Sequence, residues 1–433
     1  MAALPPAQES SPATPPHVVV VGIDGVRLDT ALSDPTNTNF LRVMNQGITG
    51  PTNLIGHTTL SGPAWTTVLT GVWDTKSGVI NNIFNARTYD RWPSVYNLIE
   101  AHNPAITTAV VAGWSFLTDM AASGAVPADY IDFVQVPGDA NGSLTDAKVA
   151  ANTVDLIGKA DPSASTCIFT YLEQVDMVGH QSGGASQEYR DAISRSDTNL
   201  GIILDAVEAR ELETGEDWTV LVVSDHGMTK NVPAVPLLDM YLGHGFQSPA
   251  ETQAWVIADF AGDSGNDGNL SLGYSIADVT PTILELFDVP MRSDFDGVPI
   301  QSTQRVLDSI VVPVNLRQSV NDAIGVLGYP DIPTNLALST RTVFASVPYF
   351  LGKIVESVTA SLQSIVDQDI FLISPLVAVA EAVIGFSGNV LVDVTQAVAQ
   401  VVGFLTGAGT IAPTDPPLSP PSTAVPYPAF LSV

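Results

Sequence analysis

The sequence predicts a layered α/β domain carrying an apolar helical extension at its C-terminal end. Three observations predict it: a continuous β-branched strand near the N-terminus, an alternation of strands and helices up to about residue 300, and a fall in charge beyond that point. The run His17-Val-Val-Val-Val-Gly-Ile23 reads as a central strand covered on both faces, and it delivers Asp24 at its C-terminal end. That end of an open α/β sheet is where ligands bind.

The following elements repeat the pattern. Phe40, Val43 and Met44 mark a helix over 39–46, which Gly47 ends. Further helices are expected over 94–102, 197–210 and 276–286, and further strands over 107–112, 167–172, 218–224 and 254–258. The catalytic domain is expected to span 17–302, after a disordered leader over 1–16. Residues 303–433 hold only 4 of the 16 bases. Within them Leu351, Ile354, Val355, Val358 and Leu362, and then Leu391, Val394, Val398, Val401 and Val402, follow helical spacing. A helical module over 303–411 and a Pro-rich extended tail over 412–433 are therefore expected. Asp393, Gln396 and Gln400 interrupt the second helix, which argues against a membrane span.

Composition bounds the function. The 433 residues hold 45 acids against 16 bases, a formal charge of −29, which excludes nucleic-acid binding through a basic surface. Cys167 is the single cysteine; it lies in an expected strand and reads as a small buried hydrophobe rather than a nucleophile. The N-terminus has neither the basic nor the apolar region of a signal peptide. A processed leader leaves the same kind of start, so export to a secreted or cell-envelope location stays open.

Chemistry concentrates in a few short motifs. Ser-Asp225-His226-Gly sets a carboxylate and an imidazole at a strand end, a donor pair suited to zinc. Asp176 and His180 are four apart, which on a helix gives them one face. His244 stands between two glycines in a loop that could fold back toward them. Ser61 precedes a Gly-Pro turn and an apolar helix, where free N–H groups favour phosphoryl oxygen. Each motif alone also suits a cap or a turn. Their common position at the ends of elements in one α/β domain favours a shared site.

In this order, Ile-Asp24-Gly-Val-Arg, Ser61-Gly-Pro-Ala-Trp, Asp176-x-x-Gly-His180, Ser-Asp225-His226-Gly and Gly-His244-Gly resemble the alkaline phosphatase superfamily, in particular its nucleotide pyrophosphatase/phosphodiesterase branch. The resemblance spans about 17–302, including Asp278 to Pro290 and Asp296-Gly. It implies an alkaline-phosphatase-like fold with a central, mostly parallel sheet flanked by helices, and two Zn2+ ions. Asp176, His180 and His244 would hold one ion; Asp24, Asp225, His226 and the Ser61 oxygen would hold the other. Manganese or iron suits similar donor shells.

The resemblance also implies roles in the reaction. Ser61 would be the nucleophile that forms a phosphoryl-enzyme; the branch usually carries threonine there. Thr58 and Thr59 are rivals, but only Ser61 has the proline two residues on. Asn82, 21 positions later (82 − 61), would bind a phosphoryl oxygen, with Asn81 as its alternative. A neutral amide suits a diester, whereas monoesterases set an arginine against the dianion; Arg87 and Arg91 are the nearby arginines. Ala64-Trp65 stands where family members often have Asn-His, and Ser77 where they have His, so the nucleoside-binding region departs from the pattern. Trp65 also lacks the arginine that sulfatase maturation requires.

The expected function is hydrolysis of a small phosphodiester or nucleotide substrate. A phosphomonoesterase is the alternative within the superfamily. A weakly catalytic protein docking to a membrane surface or a protein through its C-terminal helices is the alternative from another class.

Overall fold

The computed structural model describes residues 15–230, 234–235, 240–241, 243–262, 265–367 and 374–411. The tail expected over 412–433, and the leader expected over 1–16 apart from residues 15 and 16, lie outside the described residues.

Nine of the described strands form one sheet. They are β1 (His17–Ile23), β2 (Ile48–Asn53), β3 (Thr107–Ala112), β4 (Tyr130–Phe133), β5 (Thr166–Leu172), β6 (Trp218–Ser224), β7 (Gln253–Asp259), β8 (Leu270–Ser271) and β9 (Ile310–Val311). Their order across the sheet is β9-β8-β2-β7-β6-β1-β5-β3-β4. The block β6-β1-β5-β3-β4 is parallel, whereas β7 runs antiparallel to both β6 and β2. This is the mostly parallel sheet flanked by helices that the resemblance to the alkaline phosphatase superfamily implies.

Strand β1 explains why the sheet has two cores. Val18 and Val20 pack into one hydrophobic cluster with Trp65 and Phe169, while Val19, Val21 and Ile23 pack into the other with Phe40 and Trp255. All five are fully buried, each contributing roughly 1.5–3 kcal/mol. The continuous apolar run is thus the signature of a strand covered on both faces.

The sheet continues beyond residue 302. Strand β9 pairs with β8, and the helix Leu316–Gly325 buries Val320 and Ile324 in the second core. The helical module therefore begins after elements that complete the sheet.

Four helices position the site: α1 (Ser61–Thr70), α2 (Gln174–Ser182), α3 (Ile332–Val366) and α4 (Ser374–Leu405). Helices α3 and α4 pack side by side as the apolar extension. The base of this pair is fastened to the sheet domain by polar contacts. Arg341 donates to Asp74 Oδ2 at 2.5 Å, to Thr58 Oγ1 at 3.3 Å and to the Thr406 carbonyl at 2.5 Å. Asn81 Nδ2 donates to the Ala345 carbonyl and to Gln396 Oε1.

One expectation about α4 needs correction. Despite Asp393, Gln396 and Gln400, its segment Ala378–Leu405 is long and apolar enough to cross a membrane by length and composition. The three polar residues fall in its C-terminal half, where Gln396 binds Asn81 and Ala399 is buried. Gln396 serves the contact with the sheet domain, and Glu381 is the one charged residue in the run that precedes Asp393.

Candidate active site

The parallel register brings the first ligands together. Gly22 of β1 lies level with Val223 of β6 and Tyr171 of β5, so the residues after these three strands emerge at one edge. Asp24 follows β1, Asp225 and His226 follow β6, and Asp176 and His180 lie on α2, just after β5. Gly25 has φ +68, which glycine adopts without strain; its N–H donates to Asp225 Oδ1 at 3.2 Å, joining the loops after β1 and β6.

Helix α2 is held at its start by Asp146, whose carboxylate accepts the N–H groups of Glu173 and Gln174 at 2.8 and 3.1 Å. Its geometry sets His180 Nε2 3.5 Å from Asp176 Oδ2. The loop with His244 folds back as expected, and His244 Nε2 lies 2.9 Å from His180 Nε2 and 3.3 Å from Asp176 Oδ1. The fold therefore brings all six expected ligand side chains together.

His226 occupies the centre of the site. Its Nε2 lies 3.0 Å from Ser61 Oγ, 3.3 Å from Asp24 Oδ1 and 3.2 Å from Asp225 Oδ2, and its ring stacks on His244 at 3.8 Å. Two groups of ligand atoms close enough to share an ion follow: Asp24, Asp225 and His226, and Asp176, His226 and His244. His226 belongs to both, and the distances above bring His180 beside the second.

The donor orientations fit metal ions. Asp24 Oδ2 accepts Trp65 Nε1–H at 2.8 Å and Tyr171 O–H at 2.5 Å, and Asp225 Oδ1 accepts Gly25 N–H. Asp24 Oδ1, Asp225 Oδ2 and Asp176 Oδ1 are buried without a hydrogen-bond partner. His226 Nδ1 and His244 Nδ1 face the carbonyls of Gly227 and Thr59 at 3.0 and 2.7 Å, which assigns the proton to Nδ1 and leaves Nε2 as a lone pair. Carboxylate oxygens and imidazole lone pairs thus converge, the donor chemistry of a zinc-type centre.

The titration behaviour reports the same crowding. Burial, with the nearby Asp176 charge, raises Asp24 to about 7 against the hydrogen bonds from Tyr171 and Trp65. Burial and the charges of Asp24 and Asp176 push Asp225 well up. Burial would also raise Asp176, but His180 and His244 reverse this and hold it well below the carboxylate range. Burial and the neighbouring His244 push His226 well down. For His244, Asp176 outweighs burial and raises it.

Ser61 is the first residue of α1, buried to 4% exposure, and opens on a cleft of about 390 Å³. The rival hydroxyls are engaged elsewhere. Thr58 donates to Asp74, and Thr59 donates to the Phe246 carbonyl while accepting Gly245 N–H. Thr59 thereby clasps the His244 loop.

The two asparagines separate equally clearly. Asn81 faces α3 and α4, as described above. Asn82 lines the Ser61 cleft, and its Oδ1 accepts Gly62 N–H at 2.8 Å, which turns Nδ2 away from that backbone as a donor. A Cβ at Gly62 would meet the Asn81 carbonyl at 2.6 Å, so only glycine allows this approach. Arg87 and Arg91 are not among the residues lining the cleft. Trp65, the departure from the family pattern, supports Asp24.

Sequence reasoning missed Tyr349 and Lys353 of α3, which line the same cleft, and Thr342, which donates to the Gly245 carbonyl next to His244. Only Lys353 carried a signal, as one of four bases in the last 131 residues (433 − 302).

Known proteins share part of this chain's sequence and its fold. A pyrophosphatase/phosphodiesterase of the fission yeast Schizosaccharomyces pombe, itself uncharacterized, is 22% identical over 270 residues, 58% of this chain and 52% of its own length. Mouse ectonucleotide pyrophosphatase/phosphodiesterase family member 7 is 23% identical over 240 residues, 53% of this chain and 54% of its own. The chain spans about half the length of these curated relatives. The structure of human ectonucleotide pyrophosphatase/phosphodiesterase 5 superposes with a TM-score of 0.52 at 16% identity, covering 68% of this chain and 100% of that one, which shows the shared fold. Residues 18–244, just over half of the chain, match the family described as type I phosphodiesterase/nucleotide pyrophosphatase, and the chain belongs to that family.

Proposed function

We propose that the chain is a metal-dependent hydrolase that cleaves phosphodiester or pyrophosphate bonds through a phosphoryl-enzyme on Ser61. The observation that carries this reading is the convergence of unpartnered carboxylate oxygens and imidazole lone pairs beside the Ser61 hydroxyl. Asp24, Asp225 and His226 would hold one divalent cation together with Ser61, and Asp176, His180 and His244 the other. Zinc suits this donor set. Bound there, the ions would supply Lewis acidity that lowers the hydroxyl's pKa and offsets phosphoryl charge.

The chain's own residues supply the rest. Ser61 Oγ, its proton passed to solvent, attacks phosphorus as the bond to the alcohol or phosphate breaks, and the leaving oxygen takes a proton from water; a second water then hydrolyses the serine phosphoester, releasing the phosphoryl product and regenerating the hydroxyl. Gly62 N–H is held by Asn82, Pro63 has none and Ala64 N–H bonds the Leu60 carbonyl, so the N-terminus of α1 acts on the developing charge through its dipole. Asn82 Nδ2, set by the Gly62 contact, donates to a phosphoryl oxygen. A neutral donor there favours a singly charged diester over a monoester dianion.

Elemental analysis of the purified protein, coupled to rates on matched aryl mono- and diesters, tests the reading. Bound zinc and diester preference are expected. Full hydrolysis by Ser61→Ala would refute the nucleophile, and strong monoester preference would favour the phosphomonoesterase reading. A second role attaches to α4, where Val379, Val383, Phe386, Val390 and Val394 are exposed. These support docking to an apolar surface, which vesicle flotation of the full chain tests.

A further inference from the structure

The cleft in front of Ser61 is walled by a helix that carries none of the family motifs. Tyr349 and Lys353 of α3 line it opposite Ser61, Asn82 and Trp114. A second cavity of about 530 Å³ continues the cleft between the sheet domain and the helical pair; Asn82, Trp114, Tyr349 and Lys353 line both. Lys353 is the sole Lys or Arg lining either cavity among the described residues, and Asp139, Glu173 and Asp176 are its acidic company in the first.

A chain of charge −29 with three carboxylates along its cleft repels an anionic substrate wherever no cation intervenes. The proposed ions offset charge at the scissile phosphorus. A substrate with a further phosphate needs a further cation, and Lys353 stands where the cleft leads away from Ser61. Its ammonium lies 5.7 Å from the Tyr349 ring centre and 3.0 Å from Glu356 Oε2. With 57% of its side-chain surface exposed, it can exchange Glu356 for a phosphate at little cost. Burial would lower its pKa, but Glu356 outweighs this and raises it, so the group is charged at neutral pH.

We infer that Lys353 is a specificity-determining residue, binding the second phosphate of a diphosphate-linked substrate such as a nucleoside polyphosphate. The assignment rests on the hydrolase reading above and narrows its substrate class. Glu356 is the competitor that substrate displaces, which gives the two residues opposite effects.

Calorimetric binding of a non-hydrolysable methylene-bridged nucleoside diphosphate to the zinc-supplemented full chain tests this without turnover. Lys353→Gln should weaken binding roughly five- to tenfold, Lys353→Arg should restore most of it, and Glu356→Gln should tighten it about twofold. A singly charged phosphonate ester should change by less than twofold in each variant, and exposed Lys148→Gln should leave both ligands unaffected. Equal weakening of both ligands by Lys353→Gln, no weakening of either, or no binding of the analogue to the unaltered chain would overturn the inference. No hydrolysis of any aryl phosphoester by the zinc-supplemented full chain would instead overturn the hydrolase reading, so the two failures are distinct.

Discussion

Replacing Arg341 with methionine isolates the contact that joins the helical pair to the catalytic loops. Arg341 and Asp74 are 3% and 2% exposed in their side chains, so water screens their attraction little. Removing one member of such a pair typically costs 3–5 kcal/mol, because it leaves a buried charge uncompensated. Asp74 would keep His57 at 2.8 Å and Thr58 at 2.9 Å, which places the loss near the lower end, about 3 kcal/mol. Two orphaned acceptors on Thr406 add to it. Denaturant unfolding of Arg341→Met, Asp74→Asn and the double variant measures the coupling. The double variant should lose less than the sum of the single losses.

The same pair sets a pH dependence. Burial would raise the Asp74 carboxyl, but His57 and Arg341 hold it below its ordinary value. A depressed folded-state pKa adds stability that is full above the unfolded value of about 3.9 and is lost as pH falls through the lower folded value. The gap between wild type and Asp74→Asn should therefore shrink below about pH 4. A loss under about 1 kcal/mol for Arg341→Met at pH 7, or a gap that widens in acid, would refute the reasoning.

Other expectations follow from the site. Asn82→Ala should lower kcat for an aryl diester about 10²-fold with an unchanged unfolding midpoint, as for loss of one charge-stabilising donor; steady-state rates check it. Tyr171→Phe removes the 2.5 Å hydrogen bond that fixes Asp24, and competition with a chelator should show zinc affinity about tenfold lower. Chelation should lower the melting temperature of the full chain and zinc should restore it, read by scanning calorimetry, because ions bound only in the folded state stabilise it.

Much of this architecture was legible because each ligand follows a strand whose composition is unambiguous. The run Val18–Val21 admits only a strand covered on both faces, and Val220–Val223 repeats it, so Asp24 and Asp225 could be set at one edge before any coordinates. Strand β2 was illegible, since Thr-Gly-Pro-Thr-Asn reads as a turn. Gly50 is there because a Cβ would meet the Tyr274 side chain at 2.0 Å, a tertiary reason that no local pattern carries. The long helix Gln187–Thr214 is legible only from residue 197, because its first turns set the buried Tyr189, Ala192 and Ile193 among many polar residues. Likewise Lys353 follows helical spacing in an apolar segment, and only the tertiary placement of α3 across the cleft from Ser61 and Asp176 brings it there.

Rapid-quench trapping of the phosphoryl group during turnover of a diester, with peptide mass spectrometry, tests the central claim most directly. The account predicts one phosphoryl group on the peptide bearing Ser61, formed and lost at rates that match steady-state hydrolysis, and absent from Ser61→Ala. Hydrolysis at full rate with no phosphoryl group on Ser61, or with the label on Thr58 or Thr59, would contradict it.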